Sequence, residues 1–80
     1  MNVVYVVEFE FDKVRYLDAV FDSAEKADAY VRERGFNPDP NYSILEHGDC
    51  YQAAYILSVD GLFDYDYDAG YAWIGGREVQ

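Results

Sequence analysis

Cations are scarce in this 80-residue chain: six Lys and Arg stand against sixteen Asp and Glu, for a formal net charge of −10. A charge of that sign disfavours direct binding to nucleic acid or to an anionic membrane surface. Cysteine is scarcer still. The single thiol, Cys50, excludes an intramolecular disulfide, and a small secreted domain ordinarily carries several. No apolar stretch approaches the ~18–20 residues needed to cross a bilayer. The opening Met1-Asn2-Val3-Val4-Tyr5-Val6-Val7-Glu8 is apolar but has no basic segment and no cleavage signature, so a cytoplasmic protein with no membrane association is expected. Glycine forms no phosphate-binding loop, and Gly75-Gly76 reads as the start of a tail.

What the chain does hold is enough to fold. Hydrophobic residues make up 51% and aromatics 19%, well above an acidic disordered sequence. A length of 80 residues predicts one domain, spanning 1–80. Its core should be thin, because so short a chain buries only roughly 60–65% of its unfolded surface. Nine tyrosines suit half-buried positions, ring packed and hydroxyl wet. The acids are unevenly spread. Residues 1–34 carry eight acids and five bases, whereas 35–76 carry seven acids (Asp39, Glu46, Asp49, Asp60, Asp64, Asp66, Asp68) and no Lys or Arg. That is a one-sign surface, unlike the mixed surface of an ordinary soluble domain.

The apolar periodicity predicts the elements. Over 2–11, Val3, Tyr5, Val7, Phe9 and Phe11 share one face and Val4, Val6, Glu8 and Glu10 the other, the pattern of a central strand with a solvated end. Asp12-Lys13 suits a hairpin turn, followed by a strand over 14–21 with Leu17, Ala19 and Phe21 on one face and Tyr16, Asp18 and Val20 on the other. Asp22 with Glu25 three residues on forms a capping-box pattern, and a helix is expected over 23–34, closed by Gly35. Pro38 and Pro40 place a loop at 36–41. Strands follow over 42–47 and 50–59, with turns at Gly48-Asp49 and Asp60-Gly61. Residues 62–68 alternate an aromatic face (Phe63, Tyr65, Tyr67) with an acidic one, and 71–74 reads as a last short strand. The expected fold class is therefore α+β: an antiparallel sheet of about four to five strands with one helix on one face, in β-β-α-β-β(-β) order.

Asp64-Tyr65-Asp66-Tyr67-Asp68 is the most unusual run. In an extended chain its carboxylates lie on one side about 6.6–6.8 Å apart, similar to successive phosphates of a DNA strand, about 6–7 Å. Such a ladder could occupy a basic groove as a DNA mimic, or simply charge a sheet edge against aggregation. The same acids match the first three ligand positions of a calcium loop. However, Ala69 stands where that loop needs Gly and Gly75 where it needs Glu, so no metal is expected. His47 and Cys50 flank a turn without further zinc ligands or an oriented base, and no cofactor or catalytic frame is expected. Tyr30, Tyr42, Tyr51, Tyr55, Tyr71 and Trp73 are expected mostly to complete the core.

The opening Val3-Val4-Tyr5-Val6-Val7, the short hairpin, and Val20-Phe21-Asp22-Ser23-Ala24-Glu25-Lys26-Ala27-Asp28-Ala29-Tyr30 resemble many short bacteriophage and prophage proteins that begin strand–strand–helix. Small acidic phage proteins include DNA mimics and inhibitors of host defence, anti-CRISPR proteins among them. The resemblance implies a phage-like origin and no activity; small size, acidic charge and that origin together lead to the expectation of a non-enzymatic inhibitor acting in the bacterial cytoplasm. Its expected partner is a basic nucleic-acid-binding protein, met by Asp60, Asp64, Asp66 and Asp68, extended by Glu46 and Asp49, with Tyr65 and Tyr67 as non-ionic contacts. The alternative is a structural, adaptor or dimerising module that binds through a sheet edge or aromatic face, as monomer or homodimer.

Overall fold

The computed structural model describes residues 2–42, 44–47, 50–59, 62–63 and 70–79. Its elements are β1 (Asn2–Phe11), β2 (Val14–Phe21), α1 (Ala24–Glu33), β3 (Phe36–Pro38), β4 (Leu45–His47), β5 (Cys50–Val59), β6 (Leu62–Phe63) and β7 (Tyr71–Val79). The main sheet runs β2-β1-β7-β5-β3, antiparallel throughout, and the short strands β4 and β6 pair with the two ends of β5. The expected α+β fold, one helix on one face of an antiparallel sheet, is the fold found.

The β1–β2 hairpin closes on two left-handed residues, Asp12 (φ 53°) and Lys13 (φ 69°), with Phe11 opposite Val14. Positive φ at both central positions is the two-residue turn whose twist matches that of the strands. One feature of the hairpin departs from the alternation. Val7 pairs with Ala19 and Glu8 with Leu17, so Asp18 is an extra residue, a β-bulge. The bulge reverses the phase of the strand. Tyr16, Ala19 and Phe21 share the helix-facing side with Phe9, Val7 and Tyr5, while Leu17 and Val20 lie on the opposite face.

Helix α1 begins one residue later than the capping box implies. Ser23, in an extended conformation, accepts the Lys26 N–H on Oγ at 3.2 Å, so Ser23 is the N-cap and not Asp22. Asp22 lies just outside and meets Lys26 Nζ at 2.9 Å. At the other end the Gly35 N–H donates to the Arg32 carbonyl at φ +88°, the left-handed stop expected of a glycine there. The helix presses Ala27 and Val31, both fully buried, onto Val7, Phe9, Phe36, Ala53, Tyr55, Ala72 and Ile74.

Two more expectations are corrected. Residues 36–38 are not loop. They form β3 opposite Leu57–Tyr55, with Pro38 at the last position of an edge strand, where a missing N–H costs no central ladder bond. Gly75-Gly76 is not the start of a tail. β7 runs on to Val79 as a central strand, with Gly75 opposite Val6 and Gln52 and Gly76 opposite Tyr5. A Cβ at Gly75 would stand 3.1 Å from Arg77 Nη1, the flexible end of an exposed side chain that can give way.

Candidate interaction surface

Helix α1 packs on the sheet and touches β2 through Phe21 and Asp18, while β2 forms an edge of the sheet among the described residues. The result is a strand exposed along most of its length, on both faces. Leu17 is 67% exposed, Tyr16 56% and Val20 53%, and Phe11 and Val14 at the hairpin end are also exposed. Five large apolar side chains are thus gathered on one hairpin. Scattered apolar residues are normal on a protein surface, but a cluster of them on an unpaired edge is a feature of contact sites. The bulge at Asp18 and the charge it carries are the devices that keep such an edge from pairing indiscriminately.

On the helix side the hairpin borders a groove of about 350 Å³, lined by Phe9, Phe11, Tyr16 and Phe36, with Asp18 and Arg34 at its rim. Tyr30 fixes both rim charges. Its hydroxyl donates to Asp18 Oδ2, and its ring carries the Arg34 guanidinium 3.6 Å from the ring centre. Arg34 Nη1 also donates to the Tyr30 carbonyl at 3.1 Å. The hydrogen bond to Asp18, and then partial desolvation, raise the Tyr30 phenol above its ordinary value. Among the described residues Asp18 pairs with no cation and Arg34 with no carboxylate.

Across the helix, Tyr55 is buried, and its hydroxyl donates to Asp28 Oδ1 at 2.6 Å, while Arg32 Nε reaches Oδ2 at 2.7 Å. Burial first, and the Asp28 bond second, push the Tyr55 phenol far up. This cluster ties the helix to β5 and is structural. The opposite face of the sheet holds a second aromatic group. Arg15 lies 4.1 Å over the Trp73 ring, held by Glu10 at 2.9 Å, and Tyr42 meets Trp73 edge-on. Tyr42 is brought there by a turn in which Asp39 Oδ1 accepts the Asn41 N–H at 2.8 Å. The aromatics expected to complete one core therefore divide: Tyr30, Tyr51 and Tyr55 on the helix side, Tyr42, Tyr71 and Trp73 on the other.

The residues singled out from the sequence fall elsewhere. Asp49, Asp60, Asp64, Tyr65, Asp66, Tyr67 and Asp68 lie outside the described residues. Glu46 sits in β4 opposite Tyr51, and Phe63, just before the Asp64–Asp68 run, sits opposite Ser58. Tyr51 and Ser58 are seven residues apart on β5, about 23 Å at the rise of a strand. His47 pairs with Cys50 in register, and no group of three metal-ligating side chains occurs among the described residues. No helix among them is long and apolar enough to cross a membrane. The β2 edge was missed because its alternation looks like that of a half-buried strand. The available signal was the presence of large apolar residues in both phases of 14–21. Compared with protein-family models, curated proteins and solved structures, the chain matches none of them.

Proposed function

We propose that this protein is a non-enzymatic binding module that engages another protein through the open edge of β2. The observation that carries this reading is the exposure of Tyr16, Leu17 and Val20 on β2, which is an edge strand among the described residues, with Leu17 and Val20 on the face away from the helix. An unpaired strand offers a ladder of N–H and C=O groups to an incoming chain, and flanking side chains supply selectivity. Covering each of these three side chains contributes about 1–2 kcal/mol. The net charge of −10 favours a basic partner and speeds encounter with it.

A second reading is favoured by the charge distribution: an acidic inhibitor, of phage type, that presents Asp60, Asp64, Asp66 and Asp68 to the nucleic-acid groove of a defence protein. One experiment separates the two. Affinity capture from bacterial lysate would compare the wild type, Leu17→Glu/Val20→Glu, and Asp64→Asn/Asp66→Asn/Asp68→Asn. For the edge reading, the Glu variant loses its partner although it adds negative charge, and the Asn variant keeps it. The reverse pattern, with a nucleic-acid-binding protein lost only by the Asn variant, sinks the edge reading and supports the mimic.

A further inference from the structure

The open edge and the aromatic groove share one wall, Tyr16. We infer that the partner arrives as an extended basic segment that pairs with β2 and seats one uncharged aromatic or large aliphatic side chain between Phe9, Phe11, Tyr16 and Phe36. This rests on the reading of β2 as the docking edge.

Three observations fix the chemistry. First, side chains of an added strand alternate, so every second one faces the helix side, where the groove opens. Second, a groove of about 350 Å³ is at the small end of ligand sites. It holds a single large side chain, and its four ring walls offer nothing to solvate a charge. Third, the groove is bordered by one charge of each sign, and the hairpin that carries Asp18 is acidic. Among the described residues Asp18 accepts a hydrogen bond from Tyr30, and a carboxylate has room for more. Arg34 keeps its positive charge on the Tyr30 ring, and among the described residues it makes no ion pair with Asp18. The strands and turn of the hairpin add Glu8, Glu10 and Asp12 against Lys13 and Arg15, which leaves the hairpin net negative. The same charge argues against a second copy of this chain as the occupant, since two copies would bring −10 to −10. A Lys or Arg beside the anchor side chain would meet Asp18.

The test is selection from a displayed library of random peptides, followed by affinity measurement on the enriched peptides. Enriched sequences are expected to carry one Phe, Tyr, Trp, Leu or Ile flanked by Lys or Arg. Tyr16→Ala, at an exposed position, should weaken their binding about tenfold. Asp18→Asn, which keeps an acceptor for Tyr30, should weaken basic-flanked peptides about two- to fivefold. Leu17→Glu/Val20→Glu should abolish binding, and circular dichroism confirms that each variant is folded. If the enriched peptides lack the anchor or the basic flank and Tyr16→Ala is silent, while the double Glu variant still fails to bind, the groove inference is overturned and the edge reading stands. If the double Glu variant binds as well as wild type, the edge reading itself fails. If no peptide is enriched, recognition of an extended basic segment is overturned.

Discussion

The bond between Tyr55 and Asp28 is the sharpest test of how the helix is held to the sheet. Tyr55 is 1% exposed, and its hydroxyl donates to a carboxylate that Arg32 also engages. Tyr55→Phe removes one charge-assisted hydrogen bond, a group worth about 1.5–3 kcal/mol. The Asp28 side chain is 32% exposed and regains water, so the expected loss is smaller, about 1–2 kcal/mol. For a domain of this size that lowers Tm by roughly 4–8 °C per kcal/mol. Asp28→Ala is worse. It strands a buried hydroxyl and breaks an i,i+4 ion pair, for a loss of about 2–3 kcal/mol. Asp28→Asn keeps an acceptor and should cost least. Urea unfolding followed by circular dichroism gives the order, with an unchanged m-value expected if only the native contact is altered. A Tyr55→Phe variant within about 0.3 kcal/mol of wild type, below the usual worth of one hydrogen bond, would refute this account of the cluster.

Two further perturbations follow from the same coordinates. Gly70 has φ +84°, and a Cβ there would stand 2.6 Å from the Phe11 ring and 2.8 Å from the Glu10 carbonyl. Gly35 has φ +88°, but its Cβ would meet only Leu57 Cδ1 at an ordinary 3.5 Å. Gly35→Ala should therefore cost about 1 kcal/mol of backbone strain, and Gly70→Ala clearly more; equal losses in urea unfolding would contradict the close approach at Gly70. Alkali should also destabilise the fold. Tyr30 and Tyr55 are both raised above the ordinary phenol value, by the Asp18 bond and by burial respectively. Their contribution is whole below about pH 10, where unfolded tyrosines begin to ionise, and is lost as the pH rises further, because the unfolded chain then releases protons the fold retains. Urea midpoints that stay flat from about pH 9 to pH 11 would count against this, as would a Tyr55→Phe variant that falls as steeply as wild type.

How legible the fold was in the sequence depends on how local each signal is. The Asp12-Lys13 turn, the helix and its Gly35 stop are written in neighbouring residues, and they occur where the pattern put them, the N-cap shifted by one residue to Ser23. β7 is the opposite case. Gly75-Gly76 reads as a breaker, and only its two neighbours, β1 and β5, whose paired residues lie 15 or more positions away in sequence, hold it as a central strand. β3 survives two nearby prolines because it is an edge. The bulge at Asp18 defeated the face assignment of β2: an extra residue inverts every side chain beyond it, and nothing in a period-two pattern marks where it falls. The candidate surface was hidden for the same reason. The acidic run from Asp64 to Asp68 drew attention by composition, whereas the exposure of Tyr16, Leu17 and Val20 follows from the place of β2 at the edge of the sheet and from the bulge that turns Leu17 and Val20 to the face away from the helix.

The central claim is that an incoming chain pairs with β2, and amide hydrogen exchange tests it most directly. Exchange would be followed residue by residue, with and without the tightest peptide from the library selection. The expected result is new protection within 14–21, in the alternating pattern of a strand that gains a neighbour. Protection confined to 39–49 or 60–69, with 14–21 unchanged, would contradict it and move the interface to the acidic segments.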